Sequence, residues 1–233
     1  MQPRLDEEFE RQQRALIAAV RERQARAAGD VVIKAAFEDL FDTLAEAAAF
    51  VAAFRELIGE AVLGAALADN VEYGLNADLR IDSPQVQAGI ELVLNEMASK
   101  VNDTTYSDLV DLFRAAEAGG LGTDDIIERL DAYFEGRRSA ASLERIARTT
   151  MTGAAGAGQT AVYLASAVVM GTEWLSAYDE RTRDAHKDAH GQVVMPGETF
   201  TVGGEELRYP GDPRASPENI VNCRCAVIPV IKE

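Results

Sequence analysis

The chain has 233 residues, 47% of them hydrophobic and 27% charged, with a formal net charge of −16 and a pI near 4.6. This length allows one large domain or two modest ones. The acidic balance argues against free binding to nucleic acid, which needs clustered Lys and Arg against phosphates, and it opposes adhesion to anionic membranes. No stretch reaches the roughly 18 unbroken apolar residues that a membrane helix needs. The start, Met1-Gln2-Pro3-Arg4-Leu5, lacks the apolar core of a signal peptide, so a cytoplasmic protein is expected. Cys223 and Cys225 are the only cysteines, and a pair one residue apart cannot staple distant segments, which excludes a secreted disulfide scaffold.

In chain order, residues 3–28 carry Leu5, Phe9, Leu16, Ile17 and Val20 at helical spacing, with Gly29 as a stop. Residues 30–58 form a second helical run, with Ile33, Phe37, Leu40, Phe41, Leu44, Val51, Phe54, Leu57 and Ile58 on a broad apolar stripe. Between Gly59 and Asp82 the pattern weakens among turn formers, with room for a short helix over 61–67. Ser83-Pro84 opens a helix through Ile90 and Met97 that Asn102-Asp103-Thr104 should end. The spacing predicts a further helix over 106–118, stopped by Gly119-Gly120, and another opened by Thr123-Asp124-Asp125. Ser139 starts the last long helix, expected to run towards Met170. Its stretch Thr152-Gly153-Ala154-Ala155-Gly156-Ala157-Gly158 predicts a close approach of another element or a kink. After Gly171 the period changes. Residues 174–178 read as a strand, 181–189 as a short helix, 199–202 and 205–209 as a hairpin around Gly203-Gly204, and 226–231 as an edge strand that tolerates Pro229. The fold expected is a mainly α N-terminal region, 1–170, followed by a small α+β C-terminal domain, 171–233, with a short antiparallel sheet.

Ile146-Ala147-Arg148-Thr149, Trp174, Asp179-Glu180-Arg181-Thr182-Arg183, His186, Gly191, Pro210-Gly211-Asp212-Pro213 and Asn222-Cys223-Arg224-Cys225 follow one another over about the last 90 residues. In this order they resemble the phage Mu F-like head-morphogenesis family, although His190 stands where that family usually carries an acidic residue. The resemblance implies a minor head protein of a tailed bacteriophage, present in few copies. It would be bound to the portal protein and other head proteins on the inner side of the capsid, acting in assembly or DNA delivery. The implied location is the virion, with the host cytoplasm during assembly.

The two histidines and two cysteines of the chain all fall in this segment. Cys223 and Cys225, two apart on a strand, aim both sulfurs one way, and His186 and His190, four apart on a helix, share a face. Together they make a candidate zinc set of two Cys and two His, with Asp179 as a further fourth ligand, against the plainer reading of buried thiols and a solvated His190. Asp179 is expected to cap the short helix, Arg181 to pair with Asp184 or Glu180, and Asn222 to bond backbone in the turn before the last strand. Lys187 stands where a zinc protease needs Glu, no Cys-x-x-Cys of a deaminase occurs, and Gly153 to Gly158 lacks the Lys of a phosphate loop. A non-enzyme is therefore expected. A small zinc- or thiol-dependent enzyme and a helical adaptor unrelated to phage remain the alternatives.

Overall fold

Apolar residues at helical spacing occupy most of the chain before Gly171. The computed structural model, which describes residues 1–26 and 41–232, folds them into five long helices. The first, α1 (Gln2–Arg26), buries Leu5, Phe9, Leu16 and Val20. The expected stop at Gly29 and the first part of the second run, with Ile33, Phe37 and Leu40, lie outside the described residues. Asp42 caps α2 (Thr43–Glu72) by accepting the backbone N–H groups of Leu44 and Ala45, each at 3.0 Å. This helix does not weaken at Gly59, and the separate helix expected over 61–67 is part of it. Gly59 and Gly64 each cost about 1 kcal/mol of helix propensity. Burial of Phe54, Ile58, Val62 and Ala66 on one stripe outweighs that cost.

A similar correction applies to α3 (Pro84–Ala118), which runs straight through Asn102-Asp103-Thr104. Asn102 is buried and accepts from Gln12 Nε2 at 3.0 Å, while the hydroxyls of Thr104 and Thr105 bond back to the carbonyls of Lys100 and Val101. The threonine hydroxyls are thus satisfied within the helix, and the Asn102 carbonyl oxygen by α1. The stop comes at Gly119-Gly120, where Gly120 has φ +61°. Asp125 accepts the N–H of Gly122 at 3.1 Å to begin α4 (Thr123–Arg137). Ser139 accepts that of Ser142 at 3.3 Å to begin α5 (Ala140–Ala165), which ends short of Met170.

The chain divides into two compact units, one of Met1–Phe54 and Ala98–Glu144, the other of Arg55–Met97 and Arg145–Glu233. In the first, α1 lies along α4, Arg138 pairs with Asp6 at 2.6 Å, and the Arg137 guanidinium stands 4.8 Å over the Phe9 ring. The change of element type near Gly171 falls inside the second unit, not at its limit.

In that second unit a three-stranded antiparallel sheet has the order β2 (Val193–Val194), β1 (Val169–Leu175), β5 (Ala226–Ile231). Strand β1 begins before the expected position and contains Gly171. β5 is an edge, where Pro229, opposite Thr172, leaves no inner ladder broken. The hairpin of β3 (Phe200–Val202) and β4 (Glu205–Leu207) turns at Gly203 and Gly204, both with positive φ. Two short helices complete the unit, α6 (Asp184–Asp188) and α7 (Pro217–Ile220). Trp174 of β1 is fully buried, with the Phe200 ring 5.4 Å and the His186 ring 5.7 Å away, both edge-on.

The small residues of α5 answer the question its sequence raises, because the helix stays unbroken and other elements press on it. A Cβ at Gly158 would lie 2.1 Å from the Val62 carbonyl oxygen of α2, and one at Gly156 2.4 Å from the Tyr209 ring. One at Gly153 would lie 2.9 Å from the carbonyl oxygen of Gly211. That last contact seats the Pro210-Gly211-Asp212-Pro213 loop, whose fully buried Asp212 accepts from the backbone of Arg208 and Arg214 and pairs with the Arg214 guanidinium.

Candidate metal centre

The centre is built from a short helix and an extended tail, each held by residues of the sequence signature. Arg183 precedes α6 and donates to the Val221 carbonyl at 2.5 Å, tying the helix start to the tail. Asn222 adopts a left-handed φ of 56°, which Asn tolerates better than most residues. Its N–H donates to Thr149 Oγ1 at 3.3 Å, and its Oδ1 accepts from Arg148 at 3.5 Å. The Asn222 side chain therefore meets a guanidinium of α5, not backbone as expected. Thr152 of the same helix donates to the Cys223 carbonyl at 3.5 Å.

Beyond this turn, burial alternates as in a strand, although β5 begins only at Ala226. Cys223 and Cys225 are inside, 3% and 9% exposed, and Arg224 between them faces out. Arg224 grips both oxygens of Asp179, at 2.5 and 2.6 Å, in a two-pronged ion pair. Asp179 also accepts from the Thr182 hydroxyl and the Arg181 backbone, each at 3.0 Å. The partner of Asp179 is thus Arg224 from the far end of the segment, and the expected pairing of Asp184 is made by Lys187 at 3.4 Å. Arg224 and Thr182 hold the Asp179 carboxyl well below the usual carboxylate range.

The alternation turns both sulfurs towards His186, which is 2% exposed. Its Nδ1 lies 3.3 Å from Cys225 Sγ and 3.7 Å from Cys223 Sγ. The three ligand atoms all lie within 4.8 Å of one another, and among the described residues this is the group of His, Cys, Asp or Glu placed to hold a metal. His186 Nε2 is buried without a partner. The Cys225 thiol, with His186, draws Cys223 below the ordinary thiol range, and the charge gathered on Cys223 pushes Cys225 up.

His190 is not part of this group. The helix ends at Asp188, so the spacing of four no longer places the two imidazoles on one face. His190 Nδ1 instead accepts the Ser176 N–H at 3.1 Å, beside the Tyr178 ring. Asp179 is likewise committed to Arg224. Of the candidates His186, His190, Cys223, Cys225 and Asp179, the fold unites the first, third and fourth. The Arg224–Asp179 pair and the Arg148–Asn222 contact were not read from the sequence. Their only signal was that these residues recur together in one signature, since their chain separations of 45 and 74 follow no local period.

A cavity of about 10 Å³, room for one water-sized particle, is lined by His186, Cys223 and Cys225 among others. No curated protein and no solved structure matches the chain. The family described as phage Mu protein F like protein matches residues 108–228, which begin well before the motifs of the last 90 residues and cover just over half of the chain. On that match, with the signature residues joined in one framework of α5, α6 and the tail, the chain belongs to the phage Mu protein F-like family.

Proposed function

We propose that this chain is a head-morphogenesis protein of a tailed bacteriophage, a minor component held on the portal protein inside the capsid and aiding assembly or DNA delivery. The observation that carries the reading is the family match over residues 108–228. The roles of the signature residues support a structural part over a catalytic one. Arg148, Thr149, Asp179, Arg183 and Arg224 spend their polar groups on joining segments of the unit. No helix among the described residues is long and apolar enough to cross a membrane, which agrees with a place in the particle.

In this reading the His186, Cys223 and Cys225 cluster holds zinc, since two thiolates and an imidazole are ligands that zinc favours. The ion fastens α6 to the tail, in a segment of about 60 residues whose own core is small. Docking falls to the outer faces of the N-terminal helices, because the apolar stripe of α1 is buried and what remains for a partner is the exposed side, including Leu44 at 82% exposure. Mass spectrometry of purified procapsids and virions tests the assignment: the chain is expected in both in a few copies. Its absence from both would overturn the head-protein reading. Leu44→Asp should lower incorporation while leaving the melting temperature unchanged.

A further inference from the structure

We infer that the metal centre is open, with His186 Nδ1, Cys223 Sγ and Cys225 Sγ as its only side-chain ligands and a fourth position taken by an exchangeable solvent molecule or small anion. The inference rests on the zinc reading above and deepens it.

Ligand distances come first. Zinc bonds of about 2.3 Å to sulfur and about 2.0 Å to nitrogen, at a tetrahedral angle, separate N from S by about 3.5 Å. The two N···S distances, 3.3 and 3.7 Å, fall on either side of that value. Two edges of a tetrahedral site are therefore already at the required length, the edge between the sulfurs lies within 4.8 Å, and the fourth corner needs a donor.

Neither side chain that the sequence offers for this corner is free to take it. The Asp179 oxygens are held by Arg224 and Thr182, His190 Nδ1 accepts from the backbone of Ser176, and neither residue belongs to the group whose ligand atoms lie within 4.8 Å of one another. Moving either would break contacts that fix the tail or the end of β1. What the three ligand residues do share is the small cavity, whose walls also include Arg181, Thr182, Arg183 and Arg224. Its volume accepts one water, and its arginines favour a bound hydroxide or other anion. Zinc with two thiolates is formally neutral and Arg224 is paired with Asp179, so Arg181 and Arg183 supply the positive field that a fourth, anionic ligand requires. Three protein ligands with one replaceable position is the arrangement in which a metal reacts or takes a donor from another molecule, whereas four protein ligands close the site.

The full-length protein, purified without a histidine tag and loaded with Co²⁺ in place of zinc, tests this directly with azide as the probe. An open site shows intense tetrahedral d–d bands that shift saturably as azide displaces the fourth ligand, and His190→Ala and Asp179→Asn keep about one equivalent of metal. Bands that ignore azide, or a spectrum changed by His190→Ala, would mean a fourth side chain and overturn the open site while leaving a metal centre in place. Less than about a tenth of an equivalent of zinc or Co²⁺ bound would overturn the zinc reading itself. Because the decisive titration uses the unmutated chain, it does not depend on whether the cysteine variants fold.

Discussion

Arg224 and Asp179 set the position of the two sulfurs as surely as the backbone does. The guanidinium between the cysteines can be gripped from outside only when both thiols point inwards. With its carboxyl depressed by Arg224, Asp179 adds stability above the unfolded carboxyl's range, near about pH 4, and loses it as the pH falls below. Asp179→Asn should therefore lower the melting temperature at pH 7 and flatten the acid side of the stability curve. A variant curve parallel to that of the parent from pH 6 to pH 3 would show that the pair contributes nothing to folding.

Helix α5 shows how element-scale packing depends on single missing side chains. Gly158→Ala drives a methyl into the Val62 carbonyl, 2.1 Å away, and backbone cannot step aside as a flexible side chain would. Overpacking of this kind costs about 1–3 kcal/mol or more, a fall of roughly 3–10 °C for a chain of this size. Gly64 in α2 has nothing within 4 Å of the same added atom. Gly64→Ala should instead raise stability by up to about 1 kcal/mol through helix propensity. Thermal melts of the two variants side by side check the contrast, and equal shifts would mean that α5 and α2 can spread apart at little cost.

At the scale of the molecule, each compact unit is assembled from two separate stretches of chain. The sheet and the His186, Cys223 and Cys225 cluster belong to the same unit as most of α5. Tyr163 of that helix is buried, donates to the carboxylate of Asp69, and stands 3.2 Å from the Val227 carbonyl. A fragment of residues 171–233 alone would lose these contacts and those of Gly153 and Gly156. It should show no cooperative melt and no dispersed amide spectrum, even with zinc present. Limited proteolysis of the whole protein should cut first around the exposed Gly119-Gly120 turn. A stable product beginning at Gly171 would instead make that residue a domain limit.

The helices, the hairpin at Gly203-Gly204, the edge strand with Pro229 and the family were legible in the sequence, because periodicity, glycine conformation and an ordered set of motifs are local properties of a chain. Helix ends at Gly59 and Asn102 were misread for the same reason. Propensity there favours a stop, and only burial of Val62, Ala66 and the Gln12–Asn102 pair decides otherwise. The site divides along the same line. Two cysteines and two histidines in one segment indicated soft-metal chemistry, and residue types alone carry that much. Which three converge was settled by α6 ending at Asp188 and by Arg224 claiming Asp179. After α6 the chain bonds back to Ser176 and Trp174 of the β1 segment, and Arg224 reaches Asp179 across 45 residues, contacts that no local pattern encodes.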